Sequence, residues 1–326
     1  MFKENQYRQI VNMIGEEIIQ SGNEGYYIMR DKNGKDTSNG VIGHAWLLEG
    51  IIYIFKVTHD EKYLNLCKKI IDLHEFDNTI GVWFCPNSTV YDKTLNHQLW
   101  FASILSEVNT YLSNSKYENQ INSFLNHLEK NMIISKEGRI SHYVNNGNQL
   151  KDVIKINIKN CLLKIREYLN LPSMKYKENG YHLFNFVALA KLNYFYNDHP
   201  FFKTVKYRKS LKYCYSKKLY DELISQHFEL DISIKNKDLD RKQRSMNIYG
   251  YPYNVPGFEI MYLHSFQNNR DNIEDALRIL DKQFELTYDE SIKMFGKNCF
   301  DNITINYRIY EYYRYIEREI YNESKA

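Results

Sequence analysis

Four residues capable of moving protons occupy comparable places in the chain. His44, His97 and His182 each follow a turn residue and open a long apolar run, in GVIGHAWLLEGII, TLNHQLWFASIL and NGYHLFNFVALAKL, and Glu259 does the same in NVPGFEIMYLHSF. An imidazole titrates near neutrality, so it can take a proton from carbon or return one to a leaving oxygen. His44 and His182, or one of them with a tyrosine, are the candidate acid/base pair, and Glu259 and Glu49 are the candidate carboxyl partners. In YGYPYNVPGFE two prolines impose extended backbone on the approach to a helix, which presents Tyr251 and Tyr253 just before Glu259. Arg308, in DNITINYRIYEYY, carries a planar fork suited to a carboxylate. Trp83, on the excursion GVWFCPN, is a candidate platform for a ligand ring, and Asp92 and His97 flank the start of the next helix as candidate binding groups. Each has a structural alternative. A histidine at a helix start can bond a loop carbonyl, a first-turn glutamate suits the helix dipole, and Arg308 can pair with Glu311 or Asp301.

The elements that must position these residues are helical. Ala45, Leu48, Ile52 and Phe55 follow one helical period, and Tyr63, Leu66, Ile70 and Leu73 follow another a few residues later. Between them Asp60 stands where an N-cap should sit, so the pair reads as an antiparallel hairpin of an inner, nearly all-apolar helix and an amphipathic return. The pattern recurs. An opening helix spans 4–21, inner-type helices begin near 95, 181, 255 and 301, and amphipathic helices are expected over 117–132, 151–169, 203–216 and 272–287. Short polar segments at 22–36, 77–92 and 136–147 read as small β-hairpins or irregular excursions. The charged stretch 217–249 is left as a helix plus a solvated loop. No linker composition appears, so one domain is expected over 1–326. If the inner helices run parallel, His44, His97, His182 and Glu259 gather at one mouth.

Composition narrows the partners. With 43 basic and 40 acidic residues the formal charge is +3, which argues against a dedicated nucleic-acid binder. The N-terminal segment lacks the features of a signal peptide, and no apolar run of bilayer-spanning length is expected. Five scattered cysteines, Cys67, Cys85, Cys161, Cys214 and Cys299, suit reduced thiols and a cytoplasmic location. The chain has 29 Tyr and 17 Phe, enough for a tyrosine-lined core or a stacking surface.

GHAWLLEGIIYIFKVTHDEKYL, followed by inner helices at NHQLWFA and GYHLFNF, resembles the six-hairpin (α/α)6-toroid carbohydrate-active superfamily, which includes unsaturated glucuronyl hydrolases, N-acylglucosamine 2-epimerases and glucuronyl C5-epimerases. The ending YNVPGFEIMY with DNITINYRIYEYYRYIE is similar to toroid proteins of surface-glycan biosynthesis clusters. The resemblance implies an all-α toroid with short β-hairpins in its connections. It also implies a saccharide or nucleotide-sugar substrate, anionic where Arg308 holds a uronate. Sugar epimerisation or isomerisation is the first implied activity, and the alternatives are glycoside hydrolysis or uronate lysis, with Glu259 and Glu49 or Asp92 as carboxylates, and a non-catalytic glycan-binding toroid. The paired aspartates of the lyase-product hydrolases are replaced here by histidine. His44 and Glu49 match only part of the 2-epimerase set, and Cys85 and Cys299 lack the Cys-His pair of zinc-binding toroids, so neither metal nor cofactor is expected.

Overall fold

In a computed structural model, residues 2–145, 174–225, 247–266, 271–299 and 301–323 are described. Helices make up most of them and the strands are two-residue pairs, so the fold is all-α. The helix expected over 151–169, and Cys161 within it, lie outside the described residues. The chain forms two compact units, Met1–Lys130 with Phe195–Phe201, and Asn131–Tyr194 with Phe202–Ala326.

The first unit runs α1 (Phe2–Ser21), α2 (Gly40–Thr58), α3 (Glu61–Asp72), the pair β1 (Phe76–Asp77) and β2 (Val82–Trp83), α4 (Leu95–Leu112) and α5 (Ser115–Asn131, whose last residue falls in the second unit). The inner helix α2 buries Val41, Ile42, Leu48, Ile51 and Ile52 almost completely and packs against α4, α3 and α1. Burying each such side chain contributes roughly 1.5–3 kcal/mol before conformational entropy is counted. By length and composition α2 is also apolar enough to cross a bilayer, contrary to the expectation of no such run, yet most of it is enclosed in this unit. Its C-cap is His59 in the left-handed region, whose amide donates to Phe55 O at 2.7 Å. Asp60 then caps α3 as its position predicts, accepting from the Lys62 amide at 3.0 Å. Only one side of α3 is apolar, so it buries Tyr63, Cys67 and Ile70 and leaves its other face to water.

The second unit contains α6 (Met174–Gly180), α7 (His182–Phe195, whose last residue falls in the first unit), α8 (Val205–Cys214), α9 (Lys217–Ile224), α10 (Pro256–Ser265), α11 (Ile273–Thr287), the pair β3 (Tyr288–Asp289) and β4 (Met294–Phe295), α12 (Asn302–Tyr307) and α13 (Ile309–Glu323). Pro256 opens α10, where its missing N–H costs nothing. This inner helix packs against amphipathic α11 and against α13. The closing helix, read from sequence as continuous, divides at Arg308.

One module appears in both units: an amphipathic helix, a tight hairpin, then a further helix; the inner-type helix expected from 301 is not an inner one, because α12 buries only Ile305 and leaves Ile303 and Tyr307 exposed. Phe76 pairs with Trp83 and Asp77 with Val82, just as Tyr288 pairs with Phe295 and Asp289 with Met294. Asp77 Oδ1 accepts from the Thr79 amide and hydroxyl at 2.7 and 2.6 Å, and Asp289 Oδ1 from those of Ser291 at 2.9 and 2.6 Å. The octapeptides FDNTIGVW and YDESIKMF therefore align residue for residue, a repeat that helical periodicity does not reveal.

Candidate functional site

In four places a polar side chain of the following helix grips the backbone of the connection that precedes it. Gln98 accepts from the Trp83 amide at 2.9 Å and donates to Trp83 O and Asp92 O at 2.8 and 2.9 Å. Asn306 accepts from the Phe295 amide at 3.2 Å and also donates to the Phe295 carbonyl. His44 Nε2 accepts from the Tyr27 amide at 3.4 Å, and His182 Nδ1 from the Ile140 amide at 3.3 Å. The other nitrogen of each imidazole is also engaged. His182 Nε2 donates to Ser210 O at 3.1 Å. His44 Nδ1 lies 2.9 Å from His74 Nε2, and His74 Nδ1 lies 3.0 Å from Phe84 O. A carbonyl can only accept, so His74 carries its proton on Nδ1, and His44 must donate from its own Nδ1. All three rings are thus neutral spacers between backbone groups. Burial pushes His44 down to about 4, and His74 and His182 down to about 3.

His97 differs. It stands half-buried beside the start of α4, and its Nδ1 lies 2.6 Å from Asp92 Oδ2. Asp92 also accepts from the Val41 amide at 3.1 Å and from the Thr94 amide at 3.0 Å, which brings the starts of α2 and α4 together. Burial works to raise the Asp92 carboxyl, but the hydrogen bond and charge of His97 and the two amides overcome it and hold the group below its ordinary value. The carboxylate fits because residue 40 is glycine. Gly40 has φ +66°, and a Cβ there would lie 1.8 Å from Asp92 Oδ2. With Nδ1–H held by Asp92, the lone pair of an unprotonated ring is on Nε2, for which the described residues supply no partner. This is the arrangement of an oriented general base.

The second unit holds another group. Arg308, at the junction of α12 and α13, donates through Nε and Nη2 to Glu311 at 2.8–3.0 Å. Glu259 Oε1 lies 2.7 Å from the same Nη2 but off its N–H direction, so charge holds the contact more than hydrogen bonding does. Burial raises the Glu259 carboxyl and Arg308 only partly offsets it, which leaves a protonatable acid inside the unit. The guanidinium lies 5.0 Å from the Phe184 ring centroid. Next to Phe184 in α7 is Tyr181, whose ring is 5.7 Å away. Tyr181 in turn lies 6.0 Å from both Tyr249 and Tyr253.

The other residues singled out from the sequence lie elsewhere. Trp83 is fully enclosed against Phe76, Phe101 and Phe124, with ring centroids 4.7–5.3 Å away, so it has no face to present; the excursion that carries it folds inward as β2. Tyr251 is buried and donates to Ile279 O at 3.2 Å. Glu49 is buried within α2. Tyr253 is 48% exposed. Within each unit the inner-helix starts do approach one another: those of α2 and α4 in the first, and those of α7 and α10 with the α12–α13 junction in the second. Sequence reasoning passed over Tyr181 and Tyr249, which flank His182 and the YGYPY turn and were legible only as aromatic content.

No family model matches the chain, and no solved structure matches it. A likeness does exist to the archaeal glycosylation protein Q of Haloferax volcanii. The two are 25% identical over 340 aligned positions, which take in 98% of this chain and 84% of that protein.

Proposed function

We propose that the chain is a carbohydrate-active enzyme of surface-polysaccharide or glycan metabolism, and that it epimerises or isomerises a sugar, a uronate being the first candidate. The name of the Haloferax volcanii relative supports the role in glycan metabolism. The observation that carries the activity is the Asp92–His97 pair with Nε2 of His97 open. His97 Nε2 takes the proton from a carbon next to a carbonyl or carboxylate, and the C–H electron pair enters the resulting enolate. The Asp92 carboxylate stabilises the imidazolium, which then returns its proton to carbon. Return to the neighbouring carbon of the enediol, with a proton passing from one enediol oxygen to the other, isomerises the sugar; inversion at the same carbon requires a second proton donor on the opposite face of the planar enolate, because the imidazolium returns its proton only to the face it came from.

Solvent deuterium wash-in at a sugar carbon, followed by NMR on candidate uronates and aldoses, tests this. Wild-type protein should incorporate deuterium, and His97→Gln should lower the rate by about 10²-fold or more. Undiminished exchange in that variant would remove His97 from the reaction. A second reading is glycoside hydrolysis or lysis with Glu259, 2.7 Å from Arg308 Nη2, as one carboxyl group; release of reducing ends without wash-in would select it.

The same proposal takes the chain to be one (α/α)6-type toroid, a reading supported by the shared helix–hairpin–helix module. It also places the protein in the cytoplasm, in keeping with the free thiols of Cys67, Cys85, Cys214 and Cys299.

A further inference from the structure

We infer that the second unit carries a pyranose-binding platform built on Tyr181, Tyr249 and Tyr253. The inference rests on the saccharide reading above, but it concerns binding rather than proton transfer at His97. The three tyrosine rings lie 6.0–6.4 Å apart between centroids, tilted 41–74° to one another, and form one aromatic cluster. Tyr253, 48% exposed, is its outer edge, and Tyr181 and Tyr249 are half-buried behind it. Lys177 Nζ lies 5.6 and 5.8 Å from the centroids of Tyr181 and Tyr249.

The cluster is built in advance of any ligand. The turn 247–255 that carries two of the rings is tied down by Asn254, whose side-chain amide donates to Gly180 O at 3.1 Å and to Tyr249 O at 2.7 Å. Gly180, one residue before Tyr181, meets Tyr249 so closely that a Cβ there would lie 2.4 Å from the Tyr249 Cβ. A rigid aromatic edge of this kind has an apolar face and polar hydroxyl tips. That matches a pyranose, which has an apolar C–H face and a hydroxyl rim. Burial and the adjacent Tyr253 and Tyr249 keep the Tyr181 hydroxyl protonated, so it remains a donor as well as an acceptor. Arg308, which lies over Phe184, faces the same end of α7.

The test is saturation-transfer NMR and calorimetry on the full chain, with glucuronic acid and methyl glucoside as the two probes. At least one probe should bind, with transfer strongest to the protons of its C–H face. Tyr253→Ala should weaken that binding by about fivefold or more at an unchanged melting temperature, because the side chain is half exposed, and Tyr253→Phe should retain most of it. Unaltered affinity in Tyr253→Ala, or no binding of either probe at tens of millimolar, overturns the platform. Undiminished affinity in Tyr253→Ala for a probe that wild-type protein binds overturns the platform and leaves the catalytic reading standing, whereas lost binding in Tyr253→Ala with undiminished exchange in His97→Gln leaves the platform standing and overturns the catalytic reading.

Discussion

A histidine beside a carboxylate and a histidine between two backbone groups look alike in sequence and do opposite work. His97 is held at Nδ1 by Asp92 and leaves Nε2 open, whereas His44 and His182 have both nitrogens engaged. The consequence for stability has a definite sign. His44, His74 and His182 have folded pKa values below the ordinary 6.5, so between about 4 and 6.5 the unfolded chain binds more protons than the folded one. Stability must then rise with pH across that window and fall on acidification, by on the order of 3 kcal/mol for a shift like that of His44. Glu259, raised by burial, works in the opposite direction over the carboxylate range, so the comparison should be between variants. Denaturant melts at pH 4.5 and 7 should show a smaller pH difference in His44→Gln than in wild type, since glutamine fills the equivalent position as Gln98. An equal difference would contradict the neutral-spacer role. For the Asp92–His97 pair, Asp92→Asn should lower deuterium exchange about as strongly as His97→Gln does, because the asparagine amide can donate to Nδ1, which moves the ring proton to Nε2 and removes the lone pair there.

At the scale of elements, the hairpin and the start of the next inner helix act as one part. Gln98 makes three hydrogen bonds to the backbone around β2, so Gln98→Ala orphans buried amide and carbonyl groups. We expect a loss of about 2–4 kcal/mol in chemical denaturation, from a cost of about 1–3 kcal/mol per unsatisfied group with partial relaxation. Gly40 joins element to site. Gly40→Ala should cost about 1–2 kcal/mol for its left-handed backbone alone, and its new methyl must also displace the Asp92 carboxylate. The expected result is a lowered melting temperature together with lost deuterium exchange. A stable, fully active Gly40→Ala protein would show that Asp92 has no need of its present seat.

For the whole molecule, the cysteines report on both redox state and packing. Cys67 and Cys214 are buried, and burial pushes the Cys67 thiol up to about 12 and raises that of Cys214 well above its ordinary value. Thiolate is the reactive form, so both should resist a thiol reagent in the native protein. Denatured without reductant, the chain should titrate as five thiols, and fewer would reveal a disulfide. The two units share one module, and its most legible copies in sequence are FDNTIGVW in the first and YDESIKMF in the second.

By itself the sequence determined the helical class, the inner and outer character of the helices, and caps such as Asp60, because these depend on residues within one or two turns of each other. It also marked Asp92, His97 and Glu259 at helix starts, Tyr253 on the loop leading into one, and Arg308 within the closing helix. Which of them are available for chemistry was decided by tertiary structure. His44 is saturated by Tyr27 and His74, from 17 residues before it and 30 after it, and Trp83 is enclosed by rings from α4 and α5. Arg308 is claimed by both of two separate glutamates, Glu259 and Glu311, where the sequence offered Glu311 or Asp301. A side chain's open lone pair or face depends on neighbours that chain spacing does not encode, so local pattern located the candidates and only packing separated those with every polar atom engaged from those left open.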